Sequence, residues 1–129
     1  MPTRAHLHRL SNVWLGNPLY FITQCTAGRR KILADNEVAA FIRETLLEAD
    51  AVHGWVAGRF VIMPDHVHFF ARPRPGAKEL SIFMRDWKRW TARSILDAKN
   101  LPAPLWQAEF FDHVLRSAAS YVEKWEYVR

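Results

Sequence analysis

Apolar residues alternate with polar ones in some stretches of this chain and recur at helical spacing in others. Residues 19–26 are rich in aromatic and β-branched side chains, which predicts a first strand. From residue 35 to residue 49 the apolar positions recur three and four residues apart, and Asp35 is a suitable N-terminal cap, so this stretch predicts a helix. Residues 52–63 predict a second strand.

The second half of the chain repeats this order of elements. Pro64-Asp65 predicts a tight turn into a third strand that ends at Arg72-Pro73. Residues 78–98 predict an amphipathic helix, residues 109–116 a fourth strand and residues 117–127 a terminal helix. The order β-α-β-β-α-β predicts an α+β, ferredoxin-like (split βαβ) fold, in which two helices cover one face of an antiparallel sheet, with an added C-terminal helix.

The size and composition of the chain favour one globular domain over residues 1–129. Half of the 129 residues are hydrophobic, which is enough for one core and too little for two domains. The net charge is +5, and the segment from Arg72 to Arg93 holds seven basic and two acidic residues. Such a segment would suit a polyanion such as nucleic acid, and a merely solvated helix face is the open alternative.

Cysteine usage and hydropathy indicate a reducing compartment. Cys25 is the only cysteine, so the chain has no internal disulfide, and its apolar surroundings suggest a small core residue. The N-terminus lacks the apolar stretch of a secretory signal, and no apolar run is long enough to span a membrane. We therefore expect a cytoplasmic protein without membrane partners.

His66 and His68 are separated by one residue in the predicted third strand. Strand side chains alternate between faces, so both imidazoles should lie on one face, and Val67, Phe69 and Ala71 on the other. Two imidazoles on one face can bind a metal ion, but half-buried, hydrogen-bonded histidines would show the same spacing.

Longer motifs around this pair resemble a known family. Met63-Pro-Asp-His-Val-His68 is similar to the metal-binding HUH motif of single-tyrosine, IS200-like transposases. Trp106-Gln-Ala-Glu-Phe-Phe-Asp-His-Val-Leu-Arg116, followed by Tyr127, resembles the downstream signature of their REP-associated branch (RAYT). The resemblance runs from about Tyr20 to the end of the chain, with the motifs in the expected order.

This resemblance implies a transposase that nicks single-stranded or hairpin DNA and transfers the strand. In the family, His66 and His68 would bind Mg²⁺ or Mn²⁺, and Tyr127 would attack the phosphate to give a 5′-phosphotyrosine intermediate. His113 would support the site. Tyr121 lies six residues before Tyr127, about 1.7 helical turns, so it cannot share its face and is assigned to packing.

The resemblance also implies how DNA is bound. The basic side chains of the second long helix and of the loop before it would contact the DNA backbone: Arg72, Arg74, Arg85, Lys88, Arg89 and Arg93. Relatives act as monomers or as homodimers. They carry a further metal-completing residue one turn after the tyrosine, which falls beyond Arg129, so we expect weak metal binding or a retained fold without cleavage.

Two other functions remain open from the sequence. One is a non-catalytic domain that binds single-stranded nucleic acid through the sheet and the basic helix. The other is an unrelated metal-dependent phosphoesterase, which would need further Asp, Glu or His ligands around the histidine pair.

Overall fold

The computed structural model describes residues 18–115 and 118–128, which form four strands and four α-helices. The strands are β1 (Leu19–Cys25), β2 (Trp55–Met63), β3 (His66–Pro73) and β4 (Phe111–Leu115). The helices are α1 (Asn36–Leu47), α2 (Ala49–His53), α3 (Leu80–Lys99) and α4 (Ala118–Val128). None of these helices is long and apolar enough to cross a membrane.

The four strands form one antiparallel sheet in the order β2-β3-β1-β4. The two central strands, β1 and β3, are registered so that Thr23 lies opposite His68. On the other side of β1, Phe21 lies opposite His113 of β4. This order confirms the predicted α+β, ferredoxin-like class.

Apolar side chains cover both faces of the sheet. One face packs against α1 and α3 in the main core, which contains the fully buried Val67, Phe69 and Ala71 of β3. The other face carries a smaller cluster under α4, formed by Leu19, Phe21, Phe70, Leu115 and Tyr121. The predicted alternation of β3 is therefore confirmed, and α4 lies on the face opposite the other long helices.

Local hydrogen bonds set the start of α1 and of β2. The Asp35 carboxylate accepts the backbone N–H groups of Glu37 and Val38 at 2.9 and 3.1 Å, which confirms the predicted cap. The second strand was predicted to begin at Val52, which is wrong: Val52 lies in α2. Gly54 ends that helix in the left-handed conformation (φ 74°), so the extended strand begins only at Trp55.

The segment before β4 is fixed by side chains of other elements. The buried Gln24 donates its amide N–H to the carbonyl oxygens of Gln107 (3.1 Å) and Glu109 (3.2 Å). Gln24 thus takes backbone carbonyls of this segment, and β4 begins at Phe111, two residues later than predicted. The predicted end of the strand at Arg116 lies outside the described residues.

Candidate active site

The two histidines of β3 lie next to each other on the face that α4 covers. The ring centroids of His66 and His68 are 4.7 Å apart, with the ring planes at 77°. Both side chains are half-buried, whereas Val67 between them is fully buried on the opposite face. The structure thus brings together the pair that the sequence predicted.

A neighbouring side chain holds Nδ1 of each imidazole. His66 Nδ1 lies 2.8 Å from Asp65 Oδ1, and His68 Nδ1 lies 2.8 Å from Thr23 Oγ1. When Nδ1 donates to these oxygens, Nε2 keeps its lone pair and is the nitrogen available to a metal ion. The two partners were not predicted as orienting residues. The contact of Asp65 could have been predicted, because Asp65 directly precedes His66 in the turn. The contact of Thr23 could not, because Thr23 is 45 residues from His68 in sequence and only the strand register brings them together.

Hydrogen bonding and burial set the charge states of Asp65 and His68. The hydrogen bonds from His66 and Arg29 lower the pKa of Asp65 to about 2, so the carboxylate is ionised at neutral pH. Burial, with smaller contributions from the charges of His66 and Lys124, lowers the pKa of His68 to about 4. His68 is therefore neutral at pH 7, as a metal ligand must be. Within residues 18–115 and 118–128 no group of three or more His, Cys, Asp or Glu side chains could hold a metal.

Tyr127 lies near the end of α4 and is the most exposed large apolar or aromatic side chain described, at 85%. It borders a pocket of about 300 Å³ whose other lining residues come from β4 and α4: His113, Leu115, Ser120, Glu123 and Lys124. Tyr121, by contrast, is 3% exposed and packs on Phe70 with ring centroids 4.5 Å apart. This confirms the assignment of Tyr121 to packing.

A row of side chains joins the tyrosine pocket to the histidine pair. The Lys124 ammonium lies 5.8 Å from the ring centroid of Tyr127 and 5.1 Å from that of Phe21. The Phe21 ring in turn stacks on His68 at 5.3 Å and 19°. Lys124 was not singled out from the sequence. Its position three residues before Tyr127 is the only sequence signal, and nothing in the sequence places it over Phe21.

His113 lies at the tyrosine end of this arrangement. It is exposed, lines the same pocket as Tyr127 and pairs with Phe21 across β1 and β4. The strand β1 separates it from the β3 histidines, so it contributes to the tyrosine pocket and not to the metal pair.

Comparison with known families identifies the chain. Residues 17–126 match the model of the family described as "Transposase IS200 like", which is most of the 129 residues. The chain belongs to the IS200-like transposase family. The match ends one residue before Tyr127, so it covers both histidines and leaves the tyrosine outside.

Two solved structures share the fold of this family member. One is described as a transposase from Deinococcus radiodurans R1, with a TM-score of 0.67, 21% identity and coverage of 88% of this chain and 90% of that one. The other is a REP-associated tyrosine transposase bound to a REP hairpin, with a TM-score of 0.67 and 20% identity. The alignment covers 86% of this chain and 64% of that one. No curated protein matches the chain.

The predicted DNA-binding cations fall on different surfaces of this transposase-family fold. Arg85, Arg89 and Arg93 are exposed and four residues apart on α3, so they share one helix face. Arg72 ends the row of β3 side chains that contains His68, on the face under α4. Arg74 forms a two-point ion pair with Asp50 and lies at the other end of the sheet from the histidines.

Lys88 makes structural contacts that the sequence did not predict. Its ammonium donates to the carbonyl oxygens of Gln107 (2.6 Å) and Ala108 (2.8 Å), and burial lowers its pKa. Trp106, from the Trp-Gln motif, stacks on Trp87 at 5.3 Å, and its indole N–H donates to Thr91 Oγ1. The motif and Lys88 together fix the segment that leads to β4, and therefore position the strand that carries His113.

Proposed function

We propose that this chain cleaves and rejoins single-stranded DNA through Tyr127, with Mg²⁺ or Mn²⁺ bound by His66 and His68. One observation carries the proposal. The two imidazoles have their Nδ1 atoms engaged by Asp65 and Thr23, and they lie on the sheet face that the tyrosine helix covers. This arrangement supports a metal pair on the same sheet face as the tyrosine helix, in a chain of a transposase family.

The residues present suit a divalent ion that also binds substrate. His66 and His68 would hold it through Nε2, and with only two protein ligands water and phosphate oxygens would complete its coordination. Such an ion, when bound, polarises the phosphate and offsets its negative charge. Thr23 and Asp65 keep the rings oriented before the ion arrives.

The exposed Tyr127 is our candidate nucleophile. Its phenolic oxygen forms a bond to phosphorus as the bond from phosphorus to the 3′ oxygen breaks, and the phenol proton passes to water. The 3′ oxygen takes up a proton and becomes a free hydroxyl, while the 5′ phosphate stays on the tyrosine. The reverse attack by a 3′ hydroxyl rejoins a strand, so no high-energy cofactor is needed. His113, in the same pocket, is proposed to orient the reacting groups.

Hairpin DNA of the REP type is the proposed substrate. A protein of the same fold is bound to a REP hairpin, and the present chain carries exposed cations that could contact a DNA backbone. We assign backbone contacts to the α3 arginines and to the two β3-end arginines: Arg85, Arg89, Arg93, Arg72 and Arg74. Lys88 could join them only by giving up carbonyl contacts.

Capture of a covalent adduct tests the proposal. The chain is incubated with Mn²⁺ and a pool of labelled, hairpin-bearing single strands with randomised flanks, and the products are separated under denaturing conditions. We expect a protein–DNA adduct that disappears in Tyr127→Phe and persists in Tyr121→Phe. An adduct of undiminished yield in Tyr127→Phe would overturn the assignment.

A role in binding alone is the second candidate, because the described part of the chain offers no third protein ligand for a metal. It predicts that the unaltered chain forms no adduct. It also predicts salt-sensitive binding of single strands that survives both His66→Ala and His68→Ala.

The same adduct assay distinguishes a monomeric site from one shared by two chains. Tyr127→Phe and His66→Ala are each expected to be inactive alone. If the mixture of both variants forms the adduct, the tyrosine of one chain acts beside the histidines of another. An inactive mixture indicates that a single chain supplies both.

A further inference from the structure

Lys124 carries a positive charge at the entrance to the tyrosine pocket. Some cations of the protein pair with carboxylates: Arg29 with Asp65, Arg74 with Asp50, Lys99 with Asp35 and Glu37. In residues 18–115 and 118–128, by contrast, no carboxylate oxygen lies within ion-pair distance of the Lys124 ammonium. Its charge is therefore available to an anion that enters the pocket.

Two aromatic rings hold this ammonium in place. Lys124 lies over Phe21 of β1 and over Tyr127, with distances of 5.1 and 5.8 Å to the ring centroids. The face of an aromatic ring attracts a cation but does not neutralise it, so the rings position the charge and leave it active. Phe21 is itself fixed by stacking on His68, which connects the position of Lys124 to that of the histidine pair.

The surroundings of Lys124 suit a phosphate group. The pocket has a volume of about 300 Å³ and opens beside Tyr127. The titratable groups that face it are His113 from β4 and Glu123 from α4, while His68 of β3 lies behind the Phe21 ring. Among the described residues that line the pocket, Lys124 is the one lysine or arginine, and it adjoins the proposed nucleophile.

We propose that Lys124 binds a non-bridging oxygen of the phosphate that Tyr127 attacks, which makes it a catalytic residue. This inference rests on the proposed tyrosine transfer reaction. Negative charge develops on those oxygens as phosphorus gains a fifth bond, and a cation already in position stabilises that charge without reorganising. Lys124 transfers no proton in this role and acts only through its charge and its N–H donors.

The test measures the single-turnover rate of adduct formation at saturating DNA, with the full chain and Mn²⁺. Lys124→Met and Lys124→Gln remove the charge and keep much of the stem, Lys124→Arg keeps the charge, and Arg43→Met removes an exposed cation from α1 on the opposite face. We expect both neutral variants to be slower by roughly 10- to 100-fold, as for other hydrogen bonds to charged groups. Lys124→Arg should recover most of the rate, and Arg43→Met should react normally.

A neutral substrate separates this role from a structural one. After the cleaved position has been sequenced, that phosphate is replaced by an uncharged methylphosphonate. The rate ratio between the unaltered chain and Lys124→Met should then shrink several-fold, because the phosphate's own charge is gone and only one non-bridging oxygen remains for Lys124 to bind. If Lys124→Met loses the same factor on both substrates, or loses nothing on ordinary DNA, the inference is overturned.

The Tyr127→Phe control separates the two proposals. If Tyr127→Phe loses the adduct and the Lys124 variants behave normally, only the role of Lys124 is overturned. If Tyr127→Phe still forms the adduct, the tyrosine reaction itself fails, and the role of Lys124 fails with it.

Discussion

The two faces of the sheet use alternate residues of the same strand for different purposes. On β3, Val67, Phe69 and Ala71 are fully buried against α1 and α3, while His66 and His68 point to the face under α4 and stay half-buried. A single change of register would exchange these two sets. The fold therefore fixes the position of the histidines through the apolar residues between them.

The incomplete cover by α4 explains why one face can carry a site. Tyr121 and Trp125 pack on Phe70, so α4 seals only part of the face. Tyr127, two residues after Trp125, is left exposed. The larger core lies on the α1/α3 face and the proposed chemistry lies on the α4 face, so substitutions should separate stability from activity.

Removal of a large side chain from the face that packs against α1 and α3 should have the largest effect on stability. Phe69 is fully buried and contacts Phe83 and Trp87, so Phe69→Ala should lower the free energy of unfolding by about 3–5 kcal/mol. Urea titration followed by circular dichroism measures this loss. Phe111→Ala is the matched control, because Phe111 is 65% exposed and should cost under about 0.5 kcal/mol. Equal losses in both variants would contradict the division between faces.

Removal of a histidine from the face under α4 should instead reduce metal binding. Loss of partners that orient a ligand already lowers metal affinity by about 10- to 100-fold, so loss of the ligand in His68→Ala should cost at least roughly that much. Calorimetric titration with Mn²⁺ measures the affinity, and the urea midpoint should move far less than in Phe69→Ala. Unchanged Mn²⁺ affinity would remove His68 from the metal site.

Titration of His53, the last residue of α2, gives the smallest predicted effect on stability. His53 packs on Phe83 and Trp90, and its burial lowers its pKa from 6.5, while Asp86 raises it less. As the pH falls, the unfolded chain is therefore protonated at His53 before the folded protein is. The stability that the neutral His53 contributes is complete above pH 6.5 and is lost as the pH falls through the lower pKa of the folded state. The difference in unfolding free energy between the unaltered chain and His53→Gln, measured without metal, should shrink across that range. A constant difference would show that His53 does not titrate in this way.

Much of the fold was predictable because local patterns and long-range packing agree. The period-two alternation of β3 placed both histidines on one face, and the Asp35 cap and the helical spacing after it located α1. The start of β2 was misplaced because Val52 is an ordinary strand residue. Only the left-handed Gly54 shows that the preceding helix continues to His53.

The candidate site was only partly predictable because several of its contacts join distant segments. Thr23 reaches His68, and Phe21 reaches both His68 and Lys124, only through the order of the strands and the placement of α4. Lys88 illustrates the converse. Its place on a basic helix predicts DNA contact, but in the structure its ammonium donates hydrogen bonds to two backbone carbonyl oxygens.

Peptide mapping of the covalent adduct tests the central claim most directly. Cleavage by trypsin after Arg116 and Lys124 separates Tyr121, in residues 117–124, from Tyr127, in residues 125–129. After nuclease digestion, mass spectrometry should find the nucleotide phosphate on the peptide that contains Tyr127. Phosphate on the Tyr121 peptide, or on neither peptide of an isolated adduct, would contradict the account.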